Sequence, residues 1–380
     1  MVDLDAQRDT AQGSFLYESS AMRFSSPLFA ELARHCAADP DILELSAVAR
    51  RGQPIAMFVM LATQYLLFRS PQEKLARYFP SMTSTPKPAA EAFPLFREFC
   101  LERRSELMHL LATRTVNSNL VERASTIVPA IQHVKTLAGE PLTLVEICCS
   151  AGLNLLFDEY HYDYGTAGQV GNEDAAVRLS SKVLGEHRPP IQAVPLVAEK
   201  IGVDLVTVDC SDPDARVWME AMLFPEWRDE REHLKKALLL RAARKSRMLT
   251  GSAPEVLPAL LLELQGPVVV LHSYCMGQWP DEAQSRLDEV LRAASHHRDI
   301  HRVGIEVPGT EPAEGVRARL AALSRAGISI RQKCLPSRIE HTHYKKGAGQ
   351  AELLGYADGF GAWIDWRRAP QLGPTAGCTC

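Results

Sequence analysis

The chain has 380 residues, of which 46% are hydrophobic, 23% charged and 7% aromatic. This balance excludes a disordered, collagen-like or coiled-coil protein, and the length predicts two packed units. The net charge of −4 disfavours a dedicated nucleic-acid binder, which usually has a strong basic excess. The nine cysteines contain no C-x-x-C pair, so they predict no zinc ribbon and fit a reducing, cytoplasmic compartment.

Both ends of the chain are expected to be flexible tails, over residues 1–19 and 369–380. The first of these has no apolar period and lacks the basic start and apolar run of a signal peptide. The most apolar stretch, residues 54–68, is shorter than the roughly 20 residues that a membrane span requires. It predicts a buried helix, and no membrane partner is expected.

Helical spacing of apolar residues continues from residue 20 to residue 138, which predicts an α-helical N-terminal cap domain. Ser26 can cap a helix that begins at Pro27. Four prolines over residues 80–94 predict a loop, and a further helix is expected over residues 120–137.

The period changes at residue 139, and the part from 139 to 368 alternates between strand and helix patterns. This alternation predicts a Rossmann-like α/β domain with a doubly wound, mostly parallel sheet. The expected strands are residues 142–147, 204–208, 247–249, 268–272, 302–307, 328–333 and 353–357. The expected helices are 214–223, 226–244, 255–264, 281–296 and 313–325, with a further helix starting at 153–157 after the first turn. The last two strands lack a helix between them and predict an antiparallel hairpin.

The turn after the first strand contains the main functional signal. Glu146 lies near the end of this strand, and Ser150, Ala151 and Gly152 keep the turn slim enough for a ligand to approach the backbone. Only one of the three glycines of a dinucleotide fingerprint is present, and the chain has no Walker-type motif, which disfavours a nucleoside triphosphatase. The pattern resembles the first motif of class I S-adenosylmethionine-dependent methyltransferases.

Further stretches resemble a bacterial family known only as domain of unknown function 2332. The matching runs include residues 144–156, 162–165, 201–205 with 208–209, and 224–228, and the resemblance covers roughly residues 22–366. It implies a helical cap on a Rossmann-like domain of the class I methyltransferase type. It also implies S-adenosylmethionine, either as methyl donor or as substrate.

The resemblance implies that cofactor-binding residues follow the ends of the strands. Asp204 is the first candidate for the carboxylate that accepts both ribose hydroxyls, and Asp209 is the second. Ser252 stands where related sequences often have an aspartate, Cys148 stands where a glycine is usual, and the polar segment 114–123 could cover the cofactor. The expected binding residues are Glu146, Cys148, Ser150, Ala151, Gly152, Asn154, Asp204, Asp209, Ser252, Ser273 and Asn119.

The leading functional hypothesis is methyl transfer to a small molecule, with His272, Tyr274 or Glu306 as the base that removes the acceptor's proton. One alternative is a cyclase, in which the amino group of the cofactor attacks its own γ-carbon and gives azetidine-2-carboxylate and methylthioadenosine. Another is a non-catalytic binding module. A hydrolase is disfavoured because the chain has no Gly-x-Ser-x-Gly elbow.

The remaining polar and thiol groups have plainer interpretations. His341 and His343 would project from one face of a strand, but no third ligand has matching spacing, so no metal site is expected. Cys148 and Cys149 are expected to be buried thiols that fill the turn. Trp218 is expected to pack in a core, with an aromatic wall for a sulfonium cation as the alternative.

Overall fold

The structure is a computed structural model that describes residues 4–117, 119–138, 142–307 and 336–367, with side chains from residue 11 onward. The expected helix 313–325, strand 328–333 and tail 369–380 lie outside the described residues. Among the described helices, none combines the length and the hydropathy that crossing a membrane demands.

The described chain divides into two compact units. The first contains the described residues up to Asn119 together with residues 212–235, and the second contains residues 120–211 and the described residues from 236 onward. The described helices are α1 (Leu4–Ala21), α2 (Pro27–Cys36), α3 (Pro40–Ser46), α4 (Ile55–Arg69), α5 (Phe93–Glu102), α6 (Arg104–Thr113), α7 (Ala124–Ala138), α8 (Pro213–Ala221), α9 (Arg228–Ala242), α10 (Ala253–Glu263) and α11 (Asp281–Ala294).

The first unit is helical, as the sequence predicts. The Oγ of Ser26 accepts a hydrogen bond from the N–H of Phe29, and Pro27 occupies the first position of α2, where its fixed φ suits a helix start. Helix α4 is buried over most of its length, as expected for the most apolar stretch of the chain.

Helix α1 occupies residues for which the sequence predicted a flexible tail. Ala11 and Phe15 are fully buried, and because they lie four residues apart they share one face of the helix. The Nε2 of Gln12 donates a hydrogen bond to the carbonyl of Ala37 at 2.8 Å. The described part of this expected tail is therefore a packed helix, because the buried face of Ala11 and Phe15 and the hydrogen bonds of Gln12 and Ser14 hold it in place.

Helix α8 and the turn after it belong to the helical unit, although the sequence division assigns them to the sheet domain. The ring of Trp218 meets that of Tyr65 edge-on, with centroids 5.1 Å apart. The Nε2 of Gln64 donates to the carbonyls of Ala221 and Leu223. Residues 212–235 therefore interrupt the sheet unit in sequence and pack on α4 instead.

The described strands are β1 (Leu142–Ile147), β2 (His161–Asp163), β3 (Gln169–Gly171), β4 (Arg178–Ser180), β5 (Lys182–Leu184), β6 (Val197–Asp204), β7 (Arg247–Thr250), β8 (Val268–Ser273), β9 (Ile300–Glu306), β10 (Ser337–Lys345), β11 (Ala348–Ala357) and β12 (Trp363–Trp366). Nine of them form one sheet in the order β5-β12-β11-β10-β9-β8-β1-β6-β7, and β3-β2-β4 form a small second sheet.

The large sheet is mixed and mostly parallel, which confirms the α/β class. Strands β7, β6, β1, β8 and β9 are parallel neighbours, so the chain proceeds outward from the central β1 first to one side and then to the other. Helices α10 and α11 share an apolar core with these strands. In such sheets the crevice beside the first strand, at the carboxyl ends, is the usual ligand position.

Three details differ from the expected elements. A strand was expected at residues 204–208, but the strand in this part of the chain, β6, begins at Val197 and ends at Asp204. A terminal hairpin is present, but its described arms are β10 and β11, so the first arm begins at Ser337. The helix expected after the first turn is a six-residue 3₁₀ helix, Asn154–Glu159.

Candidate functional site

The turn between β1 and the 3₁₀ helix has an unusual backbone. Cys148, Ser150 and Gly152 have φ values of +55°, +52° and +67°. Residues other than glycine rarely adopt this left-handed backbone conformation. The surrounding packing must therefore hold Cys148 and Ser150 in a strained conformation. A Cβ added at Gly152 would lie 3.2 Å from Leu155 and 3.3 Å from Met248. Cys148 thus has the conformation that suits the glycine expected at its position.

Asp204 joins the end of β6 to this turn. Its Oδ2 accepts a hydrogen bond from the N–H of Ser150 at 2.7 Å, and its Oδ1 accepts one from the N–H of Val206 at 3.0 Å. On the other side of the turn, the carbonyl of Ala151 accepts from the Nε of Arg241 at 3.0 Å. Each carboxylate oxygen of Asp204 keeps further acceptor capacity, so the half-buried group can also receive hydroxyl donors.

Glu146 lies within the fully buried strand β1, and desolvation raises its pKa to about 8. Its Oε1 accepts a hydrogen bond from the Nδ2 of Asn154 at 2.7 Å. The Oε2 of Glu146, the Oδ1 of Asn154 and the Oγ of Ser150 are buried without a hydrogen-bond partner among the described residues. Since each such atom costs about 1–3 kcal/mol, the cluster of three indicates a place where a polar ligand or water would be accepted.

His272, Glu306 and Arg302 form a hydrogen-bonded chain at the ends of β8 and β9. The Nε2 of His272 accepts from the Nε–H of Arg302 at 2.9 Å, which leaves Nδ1 to donate its proton to the Oε1 of Glu306 at 2.7 Å. Burial lowers the pKa of His272 and keeps the ring neutral. Both ring nitrogens are engaged, so His272 orients Glu306 and does not suit the expected role of a free base.

The nitrogen, sulfur and oxygen atoms of His272, Cys275 and Glu306 lie within 4.8 Å of one another, as metal ligands do. A metal would need the lone pair of His272 Nδ1, however, and the guanidinium of Arg302 can only donate to the other ring nitrogen. The proton is therefore held on Nδ1, and this group is a poor cation site.

Arg123 lies beside the ring of Tyr274, with its Cζ 4.2 Å from the ring centroid. Its Nε donates to the carbonyl of Gly359 at 3.4 Å, and no carboxylate of the described residues lies within ion-pair distance of it. Burial lowers the pKa of Arg123, although Tyr274 and Glu306 favour its charged form. Tyr274 itself has φ +56°, and its hydroxyl accepts a hydrogen bond from Ser337.

Two cysteines of the site, Cys149 and Cys275, are protonated thiols. Burial raises the pKa of Cys149, and a hydrogen bond with Cys148 together with burial raises the pKa of Cys275. Because the thiolate is the reactive form, Cys149 and Cys275 have no nucleophilic character at neutral pH. Cys148 follows β1 and Cys275 follows β8, so the hydrogen bond between these two thiols joins the turns after the two strands.

The other expected residues are more dispersed. Asp209 is exposed, and a hydrogen bond from Ser211 within its own turn lowers its pKa. Ser252 precedes α10 without a side-chain capping hydrogen bond, and Ser273 is half-buried at the end of β8. Asn119 is a buried residue at the end of the helical unit.

Two arginines belong to the site although the expected residue set did not contain them. Arg123 falls inside the polar segment 114–123, whose density of polar residues was the only signal. Arg302 is fixed on His272 by the pairing of β8 with β9, in which His272 lies opposite Gly304. A Cβ at Gly304 would come within 2.7 Å of the His272 ring, so glycine there makes room for it.

Fold and site together define an α/β protein whose polar residues gather beyond the carboxyl ends of parallel strands, beside the central strand. Within that class the chain belongs to the family described as "Uncharacterized protein conserved in bacteria (DUF2332)", which it matches over residues 15–366. No curated protein and no solved structure gives a significant match.

Proposed function

We propose that the protein is an S-adenosylmethionine-dependent transferase that methylates a small molecule, and that its sheet unit is a Rossmann-like domain of the class I methyltransferase type. The observation that supports this most directly is the hydrogen bond between Asp204 and the amide of Ser150. This bond joins the carboxylate at the end of β6 to the strained turn after β1. Strand β1 is the point from which the strand order proceeds to both sides of the sheet, and ligands usually bind beside such a strand.

The residues present fit this cofactor. A carboxylate such as that of Asp204 can accept both hydroxyls of a ribose. The unpartnered atoms of Glu146, Asn154 and Ser150 offer acceptors and donors for polar groups of the methionine part. The guanidinium of Arg123 has the charge and geometry that a ligand carboxylate requires.

When bound, the cofactor supplies both an electrophilic methyl group and the leaving group to which that methyl is attached. The chain then has to align the acceptor and exclude water. Glu306 is the best base for an acceptor's proton, because His272 and the N–H of Cys275 both donate to its Oε1 and hold the carboxylate in one orientation. Its Oε1 is thereby fixed, and among the described residues no hydrogen bond is made to its other oxygen. Tyr274 remains an alternative base.

The proposal is tested by isothermal titration of the full-length protein with S-adenosylmethionine. Asp204→Asn removes the charge without changing the shape, and since a hydrogen bond to a charged group contributes about 1.5–3 kcal/mol, we expect the affinity to fall roughly 10- to 100-fold. Asp281→Asn, an exposed substitution at the start of α11, is the matched control and should bind as the unmodified protein does. Absence of binding at millimolar cofactor, or equal effects of the two substitutions, would contradict the proposal.

Mass spectrometry of the nucleoside product then separates the reactions. S-adenosylhomocysteine that forms only with an added acceptor supports methyl transfer. Methylthioadenosine released without an acceptor would contradict methyl transfer and support the cyclase reaction. Binding without turnover in the presence of a broad set of acceptors would favour a non-catalytic binding module.

A further inference from the structure

A second polar cluster lies in the sheet unit, three strands away from β1. It contains His133 on α7, His341 on β10 and Glu352 on β11. Neighbouring strands are about 4.8 Å apart, so β10 lies roughly 14 Å from the central strand, apart from the crevice described above. From this cluster we infer a binding site for one divalent transition-metal ion of the zinc class.

The three ligand atoms converge. The Oε1 of Glu352 lies 2.8 Å from the Nδ1 of His341 and 3.1 Å from the Nε2 of His133, and all three atoms are within 4.8 Å of one another. Zinc binds imidazole nitrogen and carboxylate oxygen at about 2.0–2.2 Å, which places tetrahedral ligands roughly 3.3 Å apart. The two distances to Glu352 Oε1 are shorter than this, so the carboxylate would move away from both rings by a few tenths of an ångström to admit the ion.

The two histidines are more deeply buried than the carboxylate. The side chains of His133 and His341 are 9% and 1% exposed, whereas that of Glu352 is 29% exposed. Two imidazoles and one carboxylate are a three-residue ligand set of the kind that zinc sites with a water ligand use. Two histidines with one carboxylate suit zinc and, with lower preference, iron(II).

The neighbour of His341 allows it to act as a ligand. The Nε2 of His341 lies 2.9 Å from the Nδ1 of His301, which is 1% exposed. The Nδ1 of His301 can accept a hydrogen bond from the Nε2 of His341, because a ring nitrogen of a neutral imidazole can serve as acceptor. His341 can then carry its proton on Nε2 and present the lone pair of Nδ1 to a metal. His272 cannot adopt this tautomer, with the proton on Nε2, because its Nε2 accepts a hydrogen bond from Arg302.

The same distances could instead belong to a carboxylate that accepts hydrogen bonds from two histidines. Metal content separates the two arrangements. Tag-free, full-length protein is loaded with Zn²⁺, dialysed, and measured by inductively coupled plasma mass spectrometry, with Co²⁺ loading and visible absorption as a second readout. We expect about one ion per chain and a ligand-field spectrum typical of a low-coordinate site.

Glu352→Gln keeps the shape of the side chain and should lower the Zn²⁺ affinity at least 100-fold, and His341→Ala should do the same. His343→Ala is the matched control, because His343 lies on the same strand but pairs with Asp299 and stacks on His301. It should retain one ion per chain. A folded protein that takes up no Zn²⁺, or a loss equal in all three variants, would overturn the inference. Circular dichroism confirms folding of each variant.

Discussion

Glu146 illustrates how burial sets the ionisation of a single side chain. Desolvation raises its pKa from 4.5 to about 8, so the folded protein binds a proton that the unfolded chain releases. The protonated folded state is therefore favoured at low pH. The stability that this proton provides is complete below about pH 4.5 and is lost as the pH rises towards 8.

We expect the free energy of unfolding to fall by up to about 1.4 kcal/mol per pH unit across this window because of Glu146. Glu146→Gln should remove that part of the pH dependence, since an amide does not titrate. Urea unfolding at several pH values between 5 and 8 measures it. Glu289→Gln, an exposed substitution on α11, is the control and should keep the wild-type slope. An unchanged slope in Glu146→Gln would contradict the assignment.

At the residue scale, the sequence located contacts between neighbouring motifs and missed those that depend on strand pairing. Glu146, Ser150 and Asn154 fall in one short run, and the structure brings them together with Asp204. His341 was recognised, but with His343 as its partner. The structure pairs it with Glu352 instead, and this contact depends on the register of β10 against β11, which no spacing rule reveals.

At the element scale, α1 shows how few buried positions hold a helix. Phe15 is fully buried, and removal of its ring should destabilise the helical unit by about 3 kcal/mol, since Phe→Ala substitutions in cores cost about 3–5 kcal/mol. Tyr17, which is 70% exposed on the same helix, is the control, and Tyr17→Ala should change stability by less than about 0.5 kcal/mol.

Native-state hydrogen exchange read on α1 and α4 measures these two substitutions. Phe15→Ala should accelerate exchange in α1 strongly, and Tyr17→Ala should leave both helices protected. If the two variants exchanged alike, α1 would not be packed as the structure has it.

The elements that the sequence predicted best are those whose burial matches their hydrophobicity. Strands β1 and β8 are buried along nearly their whole length, and both were expected. The misplaced strand at 204–208 has the opposite character. Leu205 and Val206 are apolar but 70% and 56% exposed, whereas the strand β6 includes the polar residues Glu199 and Lys200. The hydrophobicity of Leu205 and Val206 therefore placed the expected strand too far along the chain, in the loop that follows β6.

At the scale of the whole molecule, the units are not continuous in sequence. Residues 212–235 leave the sheet unit and complete the helical one. The alternation of strand and helix gave the α/β class and the mostly parallel sheet, because these depend on local pattern. The return of a distant segment to the helices depends on contacts such as those of Gln64 with Ala221 and Leu223, 157 and 159 residues away, which local pattern does not encode.

This discontinuity predicts how fragments fold. Trp218, Met222 and Phe224 are only 5%, 3% and 8% exposed within the helical unit. Burying such side chains contributes about 2 kcal/mol each, so residues 1–119 alone should lose roughly 6 kcal/mol and give a poorly dispersed NMR spectrum. Residues 1–119 joined through a flexible glycine-serine linker to 212–235 should give dispersed amide signals and cooperative unfolding. A joined chain with the 212–235 sequence scrambled is the control. Cooperative folding of residues 1–119 by themselves would contradict this prediction.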